Sequence, residues 1–281
     1  MNREDVLKRF HAHEGVWDVV VIGGGATGVA VAMDAAIRGL SVVLVEQSDF
    51  GKGTSSRSTK LVHGGVRYLQ QGNITLVRDA LRERTLLRAN APHLVHDLPF
   101  VIPCRSWWQR FFYGVGLKVY DFLAVGNSFG SSRNLSVAET MKTVPVLSRN
   151  QIKGGVLYHD GQFDDARLLI SMVRTGHDAG ACLLNYMRVT SLIRGKDQGV
   201  SGVNVSDAES GEEFSIKGRA VINATGPFSD AIRSMDDANQ ETMIAPSQGV
   251  HLVLPRAFYP GDTAIIVPKT SDGRVIFVIP W

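Results

Sequence analysis

The alternation of apolar and polar positions near the start of the chain predicts a strand, a helix and a second strand, in that order. Residues 18–22 form a short β-branched run, residues 29–38 are rich in Ala, and residues 41–45 are again apolar. Gly39 follows the helix as a typical C-cap. The pattern therefore predicts a β-α-β unit.

Farther along, apolar residues at helical spacing predict a helix over residues 74–88 and another from Asp164 or Asp165, as N-cap, to about residue 179. Short apolar runs then predict four strands, at residues 183–193, 200–205, 212–216 and 219–222. Ser210-Gly211 is the hairpin turn between the second and third of these. Residues 274–281 also read as a strand with no turn-forming tail, so we expect the chain to be a fragment of a longer protein.

Composition indicates an ordinary globular protein, since 281 residues with 44% apolar content can bury a large core. The chain has neither an apolar run long enough for a transmembrane helix nor an export signal in its first residues. Two cysteines without metal-ligand spacing favour a reducing compartment, the cytoplasm. A net charge of +3 without a Lys/Arg block argues against a nucleic-acid partner. Acidic small molecules or an anionic membrane surface remain open as partners.

The glycine-rich stretch at residues 23–28 directly follows the first strand. Gly23 allows the tight turn, Gly25 lets the backbone approach a pyrophosphate, and Gly28 permits close packing of the helix on the strand. The N–H groups of the helix N-terminus would bind the anion. Glu46 ends the second strand, where a carboxylate accepts the ribose hydroxyls. This combination predicts a dinucleotide site; the alternative is a turn in an unrelated α/β protein with a solvated Glu46.

Two segments after Glu46 add candidate chemistry. Residues 47–60 are polar and rich in small hydroxyl side chains, which suit a phosphate or the ribityl chain of a flavin or, alternatively, a solvated loop. Residues 61–69 then place His63 and Arg67 on either side of paired glycines, which a planar ligand could approach. His63 could take a proton and Arg67 could hold an anion, or both side chains could be structural.

Residues 105–125 crowd Trp and Phe side chains beside Arg and Lys. Such a mixture suits the headgroup region of a bilayer, or equally a set of core aromatics with charged rims, and both interpretations stay open. Three acids at Asp160, Asp164 and Asp165 predict no metal site, because helix capping explains two of them.

Taken in order, these motifs resemble those of the FAD-dependent glycerol-3-phosphate dehydrogenases. The shared motifs are V-I-G-G-G-x-x-G at 21–28, Glu46, T-S-S at 54–56, K-L-V-H-G-G-V-R-Y-L at 60–69, D-D-A-R-L at 164–168, N-A-T-G-P at 223–227 and G-V-H-L-V-L-P-R at 249–256. The stretch at 60–69 is the most specific, whereas the glycine turn and A-T-G are shared with many flavoproteins. The resemblance runs from about Asp18 to Trp281.

The resemblance implies an α/β fold. An FAD-binding Rossmann-like domain of the glutathione-reductase type, at residues 1–75 and 155–235, would be interleaved with an α+β substrate domain on an antiparallel sheet, at residues 76–154 and 236–281. It implies FAD as cofactor and oxidation of sn-glycerol 3-phosphate to dihydroxyacetone phosphate, with hydride passing from C2 to flavin N5 and electrons passing to a quinone or, in oxidase members, to oxygen. A homodimer and a peripheral position on the inner face of the cytoplasmic membrane are further expectations.

Position by position, the resemblance implies a set of site residues. Those that would line the cofactor are Gly23, Gly24, Gly25, Thr27, Gly28, Glu46, Gln47, Thr54, Ser55, Ser58, Lys60, Leu61, His63, Gly65, Val189, Ala224, Thr225 and Gly226. His63 would act as proton acceptor and Arg67 as ligand of the substrate phosphate, with His251 as a further substrate residue. Gln248 departs from the Lys common in the family, and the family continues beyond Trp281, so an inactive FAD-binding fragment is an alternative.

Other classes of function stay open as well. An FAD-dependent amine or hydroxy-acid oxidase of the same fold would carry the same cofactor motifs, although Arg67 after His63-Gly64-Gly65 favours a phosphate substrate. A non-enzymatic nucleotide-binding module is a rival of a different class. The loop at residues 53–60 and the late A-T-G disfavour an NAD-linked dehydrogenase.

Overall fold

The computed structural model describes residues 1–124, 129–268, 270 and 272–281, except for the side chains of Arg67 and Gln70. In chain order its helices and strands are α1 (Arg3–His11), β1 (Trp17–Ile22), α2 (Ala26–Ile37), β2 (Val42–Val45), β3 (Leu61–Val62), α3 (Val66–Gln70), α4 (Ile74–Asn90), β4 (Val95–Pro103), α5 (Trp107–Leu123), β5 (Arg133–Leu135), α6 (Val137–Thr143), β6 (Gly155–Phe163), α7 (Asp165–Asp178), β7 (Cys182–Leu184), β8 (Met187–Arg194), β9 (Val200–Asp207), β10 (Glu213–Asn223), α8 (Ser229–Asp236), β11 (Ala264–Val267) and β12 (Ile276–Val278).

The chain divides into two units, each built from two stretches of sequence. Unit 1 comprises Met1–Ser58 and Asp165–Val250, and unit 2 comprises Thr59–Asp164 and His251–Trp281. The boundaries therefore differ from the expected ones, because β6 pairs with β4 along Val95–Pro103 and so belongs to unit 2, together with β3, which pairs with β6.

Unit 1 contains a sheet in the order β7-β2-β1-β10-β9-β8, in which β7, β2, β1 and β10 run parallel. Helices α2 and α7 pack with β1 and β2 in one core cluster, in which Val29, Ala32 and Val173 are buried. Helix α1 contributes Val6 to a separate cluster with β8, β9 and β10. The predicted β-α-β unit is confirmed as β1-α2-β2.

Two strand predictions in unit 1 were wrong. The two strands expected at residues 212–222 are one strand, β10, which pairs with β9 over Glu213–Lys217 and with β1 over Gly218–Asn223. The single strand expected at residues 183–193 is two strands, because Tyr186 turns the chain with a φ of 56°. Strand β7 then pairs with β2, and β8 pairs with β9.

Unit 2 contains a mixed sheet in the order β12-β11-β4-β6-β3, with β5 also paired to β6. All of these pairs are antiparallel except β11 with β4. Helices α4 and α5 pack with β4 and β6 around Leu81, Phe100 and Leu117. The expected fold class, an α/β unit interleaved with an α+β unit, is confirmed. Over the residues described, none of the helices has both the length and the apolar character that a membrane crossing requires.

Candidate cofactor and active site

The glycine turn between β1 and α2 is built by close backbone contact. Gly23 has a φ of 109°, and a Cβ on Gly28 would lie 1.9 Å from the Gly23 carbonyl oxygen. Only residues without a side chain let the helix begin this close to the strand. Gly25 is the N-cap of α2 and carries no capping side chain. The N-terminus of α2 therefore has the form that binds anions in dinucleotide folds.

Glu46 and Ser55 hold this turn from the side. The Glu46 carboxylate accepts the N–H of Gly24 at 2.7 Å through Oε2 and the N–H of Ser48 at 2.9 Å through Oε1. The Ser55 hydroxyl accepts the N–H of Ala26 at 2.9 Å. Because each of these oxygens has a second lone pair, both side chains can hold the turn and still meet a ligand.

The late A-T-G segment returns to the same turn. The Ala224 N–H donates to the Ile22 carbonyl at 2.8 Å, and a Cβ on Gly23 would lie 2.6 Å from the Ala224 carbonyl oxygen. The N–H of Met187, at the start of β8, donates to the Glu46 carbonyl at 2.8 Å. Val189 lies two residues farther along β8 with its side chain buried in the core. Val189 could therefore meet a ligand only through its backbone.

The remaining sequence-predicted residues of unit 1 are distributed unevenly. Thr27, Gln47 and Thr54 are exposed. The Ser58 hydroxyl donates to Asp165 at 2.7 Å and its N–H donates to the same carboxylate oxygen at 3.1 Å, so Ser58 joins the polar loop to the start of α7. The sequence predicted only a capping role for Asp165, not this contact with Ser58.

In unit 2 the His63-Gly64-Gly65 turn connects β3 to α3. The N–H of Gly65 donates to His63 Nδ1 at 3.1 Å, and the N–H of Gly64 donates to the Tyr120 hydroxyl oxygen at 2.9 Å and to Asp160 Oδ1 at 3.3 Å. A Cβ on Gly64 would lie 2.4 Å from the Tyr120 hydroxyl oxygen, and Gly65 has a φ of 72°. Both glycines are buried while His63 is exposed. The protein beneath the turn therefore requires the glycine pair, whether or not a ligand lies above it.

Three buried polar side chains lie beneath this turn. Arg84 Nη1 lies 2.6 Å from Asp160 Oδ1, and the Tyr120 hydroxyl donates to Asp160 Oδ2 at 3.1 Å. None of the three is more than 2% exposed. Burial raises the pKa of Asp160, an effect that the Arg84 cation opposes, and burial raises the pKa of Tyr120 well above its usual value.

This cluster was not predicted from the sequence, although strand alternation contained a signal for it. Asp160 lies on the same face of β6 as Val156 and Tyr158, both of which are core residues. A carboxylate at an inward position of a strand requires a buried partner.

Four other predicted site residues belong to unit 2. Leu61 pairs with Gln162 in the sheet. Lys60 has a φ of 60°, and its Nζ lies 5.9 Å from the centroid of the Trp281 ring. His251 is exposed. The backbone of Arg67 lies in α3, whereas its side chain falls outside the described part of the structure. Among the residues described, no group of three or more His, Cys, Asp or Glu side chains could hold a metal ion.

Comparison with known proteins gives consistent matches. A family model described as FAD dependent oxidoreductase matches residues 18–281. A mitochondrial glycerol-3-phosphate dehydrogenase from Bos taurus is 46% identical over 277 residues, covering 94% of this chain and 38% of that protein. The corresponding protein from Schizosaccharomyces pombe is 43% identical over 100% of this chain and 44% of its own length. The chain thus spans less than half the length of these relatives.

Solved structures agree with the sequence relatives. The glycerol-3-phosphate dehydrogenase from Bacillus halodurans, complexed with FAD, superposes with a TM-score of 0.75 at 32% identity, covering 99% of this chain and 48% of that one. An L-proline dehydrogenase from P. horikoshii superposes with a TM-score of 0.69 at 19% identity, covering 95% of this chain and 70% of that one, and shows the fold alone.

The residues present fit the cofactor that the resemblance implied. A tight glycine turn whose N-cap residue, Gly25, carries no side chain leaves room for a pyrophosphate at the helix N-terminus, and Glu46 stands at the end of β2 as a hydroxyl acceptor. With the family match extending over residues 18–281, the chain belongs to the FAD dependent oxidoreductase family, and its cofactor is FAD.

Proposed function

We propose that this chain serves the FAD-linked oxidation of sn-glycerol 3-phosphate to dihydroxyacetone phosphate, with the electrons passing to a quinone. The observation that carries the proposal is an identity of 43–46% to proteins named glycerol-3-phosphate dehydrogenase, over at least 94% of this chain. Oxidases and dehydrogenases of amino acids share the fold at 20% identity or less, which gives no support for their substrates.

The glycine turn would hold the pyrophosphate of FAD against the N-terminus of α2, and Glu46 would accept the ribose hydroxyls. Ser55 would assist the turn, because its oxygen accepts the Ala26 N–H and its own O–H can point at a phosphate oxygen. Ala224 and Gly226 would line the cofactor next to Gly23. When bound, FAD would supply the redox chemistry by accepting hydride from C2 of the substrate at N5.

We assign the reacting end to the residues after β3. Arg67 would bind the substrate phosphate, since a guanidinium pairs with phosphate through two hydrogen bonds. His63 would accept the hydroxyl proton. In the structure Nδ1 of His63 accepts the Gly65 N–H, so a neutral ring carries its proton on Nε2. His63 can therefore take a proton only after Nδ1 releases Gly65 or after the ring turns.

We also propose that α5 contacts anionic lipid. Its exposed aromatic face consists of the side chains of Trp107, Trp108, Phe111, Phe112 and Phe122, which are 51–75% exposed. The opposite face of α5 is buried in the core. This distribution favours the bilayer interpretation for the exposed aromatic face. The core interpretation fits Tyr120, which is buried. Val125, the last residue of the predicted segment, lies outside the described residues.

Basic groups accompany the exposed aromatic face. Arg105 is exposed just before α5, Lys118 is 61% exposed within it, and the Arg110 guanidinium lies 5.3 Å from the centroid of the Trp107 ring. Aromatic and basic side chains together suit a negatively charged membrane surface. Such a contact would place the whole protein peripherally on a membrane, close to a quinone pool.

The decisive experiment is anaerobic reduction of the flavin in the purified whole protein. We expect flavin absorption bands that are bleached by sn-glycerol 3-phosphate and far more slowly by glycerol, glycine or L-proline. Bleaching by an amino acid alone would show that the substrate is an amino acid and not sn-glycerol 3-phosphate. A colourless protein would favour a module without flavin. A soluble quinone should reoxidise the bleached flavin faster than oxygen does. Faster reoxidation by oxygen would exclude a quinone as the electron acceptor.

A further inference from the structure

We propose that Tyr120 and Asp160, held by Arg84, form a positioning set that fixes the orientation of His63 through the Gly64 amide. The role of His63 in the reaction rests on the proposed function, whereas the contacts beneath the turn do not. The set acts from below the turn, so its members are positioning residues and not catalytic ones.

Two successive amides determine where His63 points. The Gly64 N–H lies in the same peptide plane as the His63 carbonyl, so its hydrogen bonds to Tyr120 and Asp160 fix the backbone of His63 on its C-terminal side. The Gly65 N–H binds Nδ1 and holds the ring at rest; when Nδ1 releases it to take a proton, the fixed backbone still positions His63. Because Gly64 and Gly65 are adjacent, holding the first amide also limits the movement of the second.

Burial makes this arrangement selective for one conformation. The Gly64 amide is buried, so a different turn would leave its N–H without water or protein acceptors. Its acceptors come from two elements, β6 and α5, and Arg84 on α4 neutralises the carboxylate. The Arg84 guanidinium also lies over the rings of Tyr120 and Phe129, at 5.9 and 4.5 Å from their centroids. Three elements of unit 2 thus converge on one peptide group.

Packing alone does not explain these residue types. The cluster lies among Leu81, Phe100 and Tyr158 in the core of unit 2. A buried ion pair is often no more stabilising than apolar residues of the same volume, so its presence calls for a more specific reason. Here the pair orients Oδ1 toward the Gly64 N–H and Oδ2 toward the hydroxyl that binds the same N–H.

The test compares Tyr120→Phe with Tyr158→Phe in the whole protein. Tyr158→Phe removes a buried hydroxyl from the same core and is the matched control. In the absence of FAD, amide hydrogen exchange of the peptide covering residues 61–69 should become about tenfold faster in Tyr120→Phe, as expected for the loss of one buried hydrogen bond, and should stay unchanged in the control. With FAD bound, kcat should fall about tenfold while KM stays near its wild-type value.

Exchange and turnover separate the two proposals. Unchanged exchange at residues 61–69 in Tyr120→Phe would overturn the positioning set, whatever the substrate. Faster exchange in a protein that does not oxidise sn-glycerol 3-phosphate would support the set and overturn the proposed function instead. Asp160→Asn keeps the shape but removes the negative charge beside Arg84, and we expect a larger change in the same direction. If that variant fails to fold, the comparison of Tyr120→Phe with Tyr158→Phe decides alone.

Discussion

Gly28 lies so close to Gly23 that a Cβ at position 28 would meet the Gly23 carbonyl oxygen at 1.9 Å. We predict that Gly28→Ala abolishes flavin retention and lowers the free energy of unfolding by about 1–3 kcal/mol or more, because the start of α2 must move away from β1. Gly116→Ala is the control, since Gly116 also lies in a helix but has nothing within 4 Å of its Cβ position. Flavin absorbance per protein and thermal unfolding measure both effects; a yellow Gly28→Ala protein would contradict the assigned turn.

The role of His63 can be tested with substitutions that mimic one of its two ring nitrogens at a time. Asn at position 63 places an acceptor near the site of Nδ1, and Gln places an amide group near the site of Nε2. If His63 accepts the hydroxyl proton, both His63→Asn and His63→Gln should lower kcat by about 10²-fold or more with FAD still bound. Stopped-flow reduction of the flavin measures this step. A His63→Gln enzyme within tenfold of wild type would show that the ring donates a hydrogen bond through Nε2 instead.

Arg67 should matter for the phosphate and much less for the rest of the substrate. We predict that Arg67→Ala raises KM for sn-glycerol 3-phosphate by about 10- to 100-fold, the value of a charge-assisted hydrogen bond, and leaves the reaction with glycerol nearly unchanged. Arg67→Lys should recover part of the loss, because an ammonium keeps the charge but not the paired geometry. Steady-state kinetics with the two substrates decide the matter. Equal losses for both substrates would point to a structural arginine.

Acid should weaken the attachment of α1 through Asp207. Burial alone would raise the pKa of Asp207, but the Glu209 N–H and the Arg3 guanidinium outweigh this and hold the pKa below its ordinary value. A lowered carboxylate pKa adds stability above the unfolded pKa, and this stability is lost as the pH falls through the folded pKa. Asp207→Asn should therefore cost about 1–3 kcal/mol at pH 7, and the difference from wild type should shrink below about pH 4.

Urea unfolding at a series of pH values measures this difference. Asp5→Asn serves as control, because the pair of Asp5 with Lys8 is exposed and should contribute little at any pH. A penalty for Asp207→Asn that stays constant from pH 7 to pH 3 would show that the charge of Asp207 does not stabilise the fold.

Local turns and helix ends could be predicted from the sequence wherever one residue type strongly favours one backbone conformation. Glycine spacing located the β1-α2 turn, and Gly39 and Gly211 adopt the positive φ values of 83° and 78° that a helix end and a hairpin turn require. These features depend on the nearest few residues, so no knowledge of the tertiary structure was needed to predict them.

Features set by distant partners could not be predicted in the same way. Strand β3 belongs to unit 2 because Leu61 pairs with Gln162, about a hundred residues away, and nothing near Leu61 indicates this pairing. Strand β10 looked like two strands because its residues change from one neighbour to another at Gly218. Asp160 was considered only as a possible metal ligand, since its partner Arg84 lies 76 positions earlier.

The exposed aromatic face of α5 gives the last prediction. Trp108 and Phe111 are 71% and 60% exposed, and their rings stack with centroids 5.7 Å apart. We predict that the whole protein sediments with vesicles of phosphatidylcholine and phosphatidylserine at low salt and is largely released at high salt, because each basic group near the surface contributes about 1 kcal/mol. The double variant Trp108→Ser, Phe111→Ser should lose this binding.

Phe258→Ser supplies the matched control for that variant. Phe258 is 68% exposed in the same unit but lies outside α5, so its loss removes as much exposed apolar surface per residue without touching the proposed contact. Binding that survives in Phe258→Ser and vanishes in the double variant assigns lipid to this face of α5. A different outcome is that the wild type fails to bind vesicles and forms a dimer that the double variant converts to a monomer. In that case the face is an interface between two copies, and the lipid proposal fails. Equal vesicle binding by wild type and double variant would likewise exclude α5 as the lipid contact, because removing two such aromatic side chains from an interfacial helix must weaken its insertion.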